Sequence, residues 1–265
     1  MTAQAKILPG ELTSYDFLKT FAVVTMIIDH IGYFLFPEVQ EFRAIGRMSL
    51  PIWMFLVGYA STRDIPDIMW IGGLVLMTGY FLVGHAILPL NILFAIIIVR
   101  SVIDTVMRMA MSNREYFMLT IIALFFLVLP TIFIFEYGTL GVLWAMTGYI
   151  CRHQKEIGWS NRYVLGFFAL VGLIYVVYQN VFFQFVIEDT MIMIACVATS
   201  AYFLMNFKAQ TYQIWTDKLP NLVTRLLKFT GRKTLHIYVA HIFILMAISF
   251  VLFPEKYGLF HLKLY

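Results

Sequence analysis

Long apolar runs recur along this chain of 265 residues and constrain its fold more than any other feature. The run FMLTIIALFFLVLPTIFIF, for example, carries no charged residue over 117–135. Runs of about 20 residues match a hydrocarbon core of about 30 Å, where the backbone must satisfy its own hydrogen bonds. Because the runs are continuous and do not alternate as barrel strands do, they predict membrane-spanning helices.

The predicted fold class is all-α, a polytopic integral membrane bundle of about nine helices, within a range of about eight to ten. One domain, 1–265, is the simplest division of the chain. A basic loop is predicted at 207–233, before the last helix, with a surface helix at 221–230. The predicted spans are 16–37, 46–62, 68–85, 88–107, 116–135, 137–151, 163–179, 190–206 and 234–253.

The composition excludes several classes of protein. Hydrophobic residues make up 61% of the chain and charged residues 13%, against about 45–50% and about 25% in soluble domains. So few charged side chains cannot coat a soluble domain of this size. A soluble enzyme, a disordered protein and a nucleic-acid-binding domain are therefore excluded.

The basic residues predict the orientation of the chain. With the predicted spans, all of the 19 lysines and arginines except Arg43, Arg47, Lys256 and Lys263 fall on the same side of the membrane as the N-terminus. Cytoplasmic loops are enriched in such residues. We therefore expect a cytoplasmic N-terminus, with the acidic residues Glu136, Glu188 and Asp189 outside.

Ionisable side chains inside a span are costly and mark candidate functional sites. The first span carries Lys19, Asp29 and His30. At 100° per residue, Lys19 and His30 lie within about 20° of each other, on one face of a helix. Tyr33 lies near the same stripe and is a candidate for substrate binding. The alternative is an Asp29–His30 pair whose only role is to lock helices together.

Two other segments carry comparable groups. Arg47, at the start of the second span, offers five donors that suit a carboxylate, a phosphate or a developing oxyanion, or it is an ordinary interfacial arginine. The last span begins at Arg232 and Lys233 and places His241 near mid-membrane. Tyr238 is a further candidate for substrate binding.

Other groups are weaker candidates. Asn91, at the start of the fourth span, is expected to face the same outer cavity. Arg100 and Asp104 are spaced to pair on one helix, and the glycines that follow Tyr137 suit close helix packing. The sequence has no motif for a metal site or a serine nucleophile, so no metal is expected.

Taken together, the segments resemble the TraX family of integral membrane proteins, whose best-known members acetylate the N-terminus of conjugative pilin. The resemblance rests on Lys19 with Asp29-His30, and it covers nearly the whole chain. The other matching segments are GRMSLPIWMFLVGY from Gly46, LPLNILFA from Leu88, YGTLGVLWA from Tyr137 and TLHIYVAHIFIL from Thr234. The family is in turn similar to the broader transmembrane acyltransferases, which include the acyltransferase-3 proteins and heparan glucosaminide N-acetyltransferase.

The resemblance implies an acetyltransferase of a bacterial-type inner membrane that uses cytoplasmic acetyl-CoA as its donor. The acceptor would be an amine or hydroxyl at the outer side, such as a pilin N-terminus or an envelope glycan. Carried over by position, the expected site comprises Asp29, His30, Arg47, Asn91 and His241. The expected partners are acetyl-CoA, the acceptor and the lipid bilayer, without nucleic acid, and an oligomer is compatible with the sequence.

The residues suggest roles in such a reaction. Basic side chains near the cytoplasm would bind the phosphates of CoA; these are Lys19, Arg100, Arg232 and Lys233. A neutral histidine would act as general base, with Asp29 orienting His241 rather than His30. Arg47 would stabilise the oxyanion or place the acceptor. Direct transfer and a relay through acetyl-histidine both remain open.

Two other classes of function fit the same residues. A transporter or flippase of a small polar or lipid-linked solute would also carry charged groups along a transmembrane path. A structural membrane subunit would explain polar pairs that lock helices together without chemistry. Binding of acetyl-CoA distinguishes the acyltransferase from both.

Overall fold

The computed structural model describes residues 10–260 and 263–264, so both ends of the predicted domain 1–265 lie outside the described residues. The described part is helical apart from one short two-stranded ribbon. Its elements, in chain order, are β1 (Leu12–Thr13), α1 (Ser14–Leu35), α2 (Gln40–Gly46), α3 (Ser49–Tyr59), α4 (Asp67–Val83), α5 (Ile92–Ala110), α6 (Arg114–Ile132), α7 (Leu140–Ile157), α8 (Asn161–Phe183), α9 (Ile187–Met205), β2 (Thr211–Tyr212), α10 (Gln213–Lys218), α11 (Asn221–Arg232), α12 (Thr234–Leu252) and a 3-10 turn (Pro254–Lys256).

Each predicted span coincides with a helix, but the helices differ in their ability to cross a membrane. Within the described residues, five are long and apolar enough to do so: α1, α6, α8, α9 and α12. α3 has 11 residues, which is a length of about 16 Å against a core of about 30 Å. The structure therefore supports a helical, multi-pass membrane protein, whereas nine full spans and the cytoplasmic N-terminus stay predictions.

Helix α3 forms the centre of the bundle. It is apolar on almost every side because α1, α5, α7 and α9 all pack around it, as expected of a fully buried helix. Its contact with α7 depends on glycine. A Cβ at Gly58 would overlap the carbonyl oxygen of Ala145, and a Cβ at Gly148 would overlap that of Phe55. Small residues allow this close backbone approach.

The basic segment that precedes α12 folds back onto the start of α1. Strand β2 pairs antiparallel with β1, with Leu12 opposite Tyr212. The predicted surface helix is present as α11, where the hydroxyls of Thr20 and Thr230 lie 2.6 Å apart. A Cβ at Gly231 would lie 2.6 Å from the Cα of Asp16, so the two helices touch there. This segment forms one wall at the N-terminal end of α1.

Two apolar clusters make up the interior of the described residues. The larger is built around α3, α5, α7 and α8, and the smaller joins α1, α4 and α12. Trp53 and Ile92 pack against both clusters. A cavity lies where the clusters meet, and both side chains line it.

Candidate functional site

The cavity has a volume of about 780 Å³ and follows α1 from Thr13 to His30. Two exposed residues, Ser61 in the loop after α3 and Thr211 in β2, line one end, so we term that end the mouth. The buried side chain of Asp29 marks the inner end. Lys19 and His30 line the same cavity, as their shared helix face predicts. Its volume falls within the range of about 300–1,000 Å³ that is typical of small-molecule sites.

A pair of histidines lies at the inner end. Nδ1 of His30 and Nε2 of His241 are 2.8 Å apart, which joins α1 to α12. Nδ1 of His241 lies 2.8 Å from the backbone oxygen of Ile237. A carbonyl oxygen can only accept a hydrogen bond, so this Nδ1 carries a proton. In a neutral ring, Nε2 of His241 is then an acceptor.

This chain of hydrogen bonds fixes the tautomer of His30. Because Nε2 of His241 accepts, Nδ1–H of His30 donates, and Nε2 of a neutral His30 keeps its lone pair. His30 lines the cavity, whereas His241 lies behind it. The arrangement presents one basic nitrogen to the cavity and uses the second histidine to orient it.

Asp29 is held by two arginines and not by a histidine. Nη2 of Arg47 bonds both carboxylate oxygens of Asp29, and Nη1 of Arg43 lies 3.1 Å from Oδ2. The prediction that Asp29 orients His241 is therefore wrong. The physical reason is that the guanidinium groups saturate the carboxylate, while Nδ1 of His241 is satisfied within its own helix by Ile237.

Arg47 is enclosed by protein on all sides and is 2% exposed. Its Nη1 donates to Oε1 of Gln179 at 3.2 Å, and Tyr175 donates to its backbone oxygen at 3.0 Å. Phe183 covers the guanidinium, with the ring centroid 4.7 Å away. Arg47 does not line the cavity, so the expected contact with an oxyanion is replaced by a contact with Asp29.

The close packing of α2 on α1 creates this ion pair. A Cβ at Gly46 would lie 2.7 Å from the Cα of Asp29 and overlap its side chain. Glycine therefore lets the end of α2 reach α1 and brings Arg47 against the carboxylate. The buried partners of Arg47 on α8, Gln179 and Tyr175, were not expected from the sequence.

Three of the four predicted cationic residues line the cavity: Lys19, Arg100 and Arg232. Lys233 does not and is exposed. Arg232 is bound by Asp16, with its Nε 3.0 Å from Oδ1.

The expected pair of Arg100 and Asp104 does not form. Asp104 instead pairs with Arg63 at 2.9 Å. Arg63 lies in the loop after α3 and folds back onto the end of that helix, where it donates to the backbone oxygen of Val57 at 2.7 Å. Arg100 binds the backbone oxygen of Asp64. No cluster of three or more metal-type ligands occurs among residues 10–260.

Comparison with known proteins decides the family. The model of the TraX protein family matches residues 14–249, which run from the start of α1 into α12. The chain belongs to the TraX family. It is also 27% identical over 264 residues to an uncharacterized protein of Rickettsia prowazekii (strain Madrid E), covering 95% of this chain and 98% of that protein. No solved structure matches it.

Two predicted substrate-binding residues of this TraX-family chain lie away from the cavity. Asn91 caps α5, where it accepts from the backbone of Leu93 at 3.1 Å and donates to that of Gly73 at 3.0 Å. Tyr33 is half exposed and covers Arg43. Tyr238 does line the cavity, with its ring centroid 6.1 Å from that of His30.

Glu136 is the site residue that sequence reasoning missed. It was assigned to an outer loop, yet it lines the inner end of the cavity beside Tyr137. Its backbone N–H donates to the oxygen of Leu90 at 2.9 Å, which holds the α6–α7 loop against the start of α5. Burial raises the pKa of Glu136 to about 7. The available signal was its position directly before the Tyr137 segment that carries the family resemblance.

Proposed function

We propose that this TraX-family chain is an inner-membrane acetyltransferase, which moves an acetyl group from cytoplasmic acetyl-CoA to an acceptor amine or hydroxyl at the outer side. Membership of the family indicates a pilin-related function, so a pilin N-terminus is the first candidate acceptor and an envelope glycan the second. The observation that carries the proposal is the oriented His30–His241 pair at the inner end of a cavity with a cationic mouth.

The residues present fit acetyl-CoA as a substrate. Lys19, Arg100 and Arg232 line the cavity toward its mouth, where they would bind the phosphates of the nucleotide. From Lys19 to His30 is a distance of about 16 Å along α1. The wall over that distance is apolar, with Leu50, Leu93 and other aliphatic side chains. Such a wall suits the pantetheine arm and brings the thioester to His30.

The chemistry follows from the tautomer of His30. Nε2 takes the proton of the acceptor's N–H or O–H as its N or O atom bonds to the thioester carbonyl carbon. The tetrahedral intermediate collapses, the C–S bond breaks, and the imidazolium returns the proton to the thiolate. His241 accepts from Nδ1–H of His30 throughout and so holds the ring in place, as the third member of a triad does.

Donors other than Arg47 are needed for the oxyanion. Nε1 of Trp53 is buried on the cavity wall, without a hydrogen-bond partner among the described residues. The ring of Tyr238 lies beside His30 on the same wall. In the proposed mechanism these two residues of the wall are the candidate donors to the oxyanion.

Acetyl transfer in proteoliposomes tests the proposal. Radiolabelled acetyl-CoA is supplied with a peptide that has a free α-amino group, or with glucosamine. We expect His30→Ala to lower the rate by about 100-fold or more, with binding of acetyl-CoA retained. His241→Gln, whose amide oxygen can still accept from Nδ1–H, should lose less than His241→Ala. The proposal fails if the wild type transfers no acetyl group to either acceptor, or if His30→Ala keeps full activity.

A further inference from the structure

Three carboxylates line the cavity, and only Glu136 among them has no ion-pair partner within the described residues. Asp16 is paired with Arg232, and Asp29 is paired with Arg43 and Arg47. Glu136 receives a backbone hydrogen bond from Ile92. An unpaired carboxylate on the wall of an apolar cavity costs free energy, and such groups concentrate at functional sites.

Glu136 and His30 belong to different walls of the inner end. His30 comes from α1 and is backed by α12, whereas Glu136 comes from the α6–α7 loop. A parallel bridge between Leu90 and Phe135 fixes the backbone of this loop. The position of the Glu136 carboxylate is therefore set by the backbone as well as by its side chain. Two proton-accepting groups from different elements therefore line the inner end of one cavity.

With an amine acceptor, the acetyl transfer proposed above releases one proton beyond the one that His30 returns to the thiolate. An amine with a pKa of about 8 enters near neutral pH mainly as an ammonium ion. It loses one proton to become a nucleophile and a second as the amide forms. The thiolate takes up one of the two from His30. The other proton leaves the ammonium either to solvent or to a basic group beside the acceptor, and such a group makes the free amine available where it reacts.

We propose that Glu136 is a second catalytic residue, which binds the nucleophilic group of the acceptor and takes the proton that is not returned to the thiolate. The inference rests on the proposed acetyltransferase function and assigns a residue to its acceptor side. The carboxylate takes H⁺ from the ammonium and becomes a carboxylic acid. The free amine attacks the thioester, and Glu136 then releases H⁺ toward solvent.

The surroundings of Glu136 suit a group that changes charge during turnover. Burial raises its pKa to about 7, and the nearby Asp29 acts in the same direction, whereas Arg47 and Arg43 oppose the rise. Other titratable groups on the packed elements are close enough to interact with it electrostatically, namely Tyr33 on α1, Tyr80 on α4, Tyr137 in its own loop and Tyr238 on α12. A carboxyl group with such a pKa can gain and lose a proton near neutral pH.

The sign of the pH dependence follows. Above its pKa, Glu136 is ionised and can accept the proton. We therefore expect kcat/KM for an amine acceptor to rise with pH through about 7. In Glu136→Gln that rise should disappear. The remaining activity should instead increase with the ionisation of the amine itself, near pH 8.

The test compares Glu136→Gln, Glu136→Asp and the exposed control Glu38→Gln in proteoliposomes, with acetyl-CoA and a peptide that has a free α-amino group. We expect Glu136→Gln to lower kcat/KM about 100-fold at pH 7 while acetyl-CoA still stabilises the protein against heat. Glu136→Asp, which keeps the carboxylate, should retain more activity and the inflection of the pH profile. Glu38→Gln should match the wild type.

The outcomes separate this inference from the function on which it rests. If Glu136→Gln keeps the wild-type rate and pH profile, the role of Glu136 is overturned and the proposed acetyltransferase function is not. An unaltered pH inflection in a slow Glu136→Gln variant also overturns it, because the carboxylate would then be structural. Absence of acetyl transfer by the wild type overturns both.

Discussion

At the scale of single residues, the buried ion pair of Asp29 and Arg47 carries a large energetic consequence. Asp29 is 5% exposed and Arg47 2% exposed, and Arg43 adds a second cation beside the same carboxylate. Removing one member of such a pair leaves an uncompensated buried charge. The pair therefore stabilises the α1–α2 contact on which the position of His30 depends.

We predict that Asp29→Asn destabilises the protein by about 3–5 kcal/mol. The asparagine keeps the shape of the side chain but leaves both arginines without a counter-charge. Thermal unfolding in detergent measures the change, with the exposed Glu41→Gln as the matched control. Equal unfolding temperatures for Asp29→Asn and Glu41→Gln would show that the pair does not stabilise the fold.

The residues of α1 that share one helix face could be predicted from the sequence, because the helix periodicity alone relates their positions. Lys19 and His30 share a face, and both line the cavity. Contacts between distant segments could not be predicted in this way. Gln179 lies 132 residues from Arg47, and only the fold brings the two together. The role of Asp29 was mistaken for that reason.

At the scale of helices, the sequence predicted where the apolar segments lie but not how each of them packs. The predicted span 46–62 contains the short helix α3 (Ser49–Tyr59), which is buried by its neighbours rather than by lipid. Apolarity on all sides is common to buried and spanning helices, so hydropathy alone does not distinguish them. Of the two glycines that follow Tyr137 and were expected to allow close packing, Gly141 lies on α7, where a Cβ would be 3.2 Å from Cε of Met54 on α3. The closer backbone contact at Gly148 was not predicted.

We predict that Gly148→Ala destabilises the protein by about 1–3 kcal/mol, because its Cβ would overlap the backbone oxygen of Phe55 on α3. Gly166→Ala on α8 is the control, since nothing lies within 4 Å of its Cβ. Alanine is favoured there by about 0.5–1 kcal/mol. Thermal unfolding of both variants should shift in opposite directions. A gain in stability in Gly148→Ala would contradict the close α3–α7 contact.

At the scale of the whole molecule, the two ends of the cavity carry different ionisable groups. The cations Lys19, Arg100 and Arg232 lie toward the mouth, and the histidine pair with Glu136 lies at the inner end. The positive-inside pattern predicts that the mouth faces the cytoplasm, where acetyl-CoA is available. The acceptor would then meet the thioester from the side of Glu136.

The most direct test of this account is the equilibrium binding of acetyl-CoA to the purified protein, measured by calorimetry. We predict binding below millimolar concentration, unchanged in His30→Ala. Arg100→Ala should weaken it about tenfold or more, since a hydrogen bond to a charged group contributes about 1.5–3 kcal/mol. Lys233→Ala, which removes a cation outside the cavity, should leave affinity unchanged. Absence of binding at millimolar acetyl-CoA, or equal loss of affinity in Arg100→Ala and Lys233→Ala, would contradict the account.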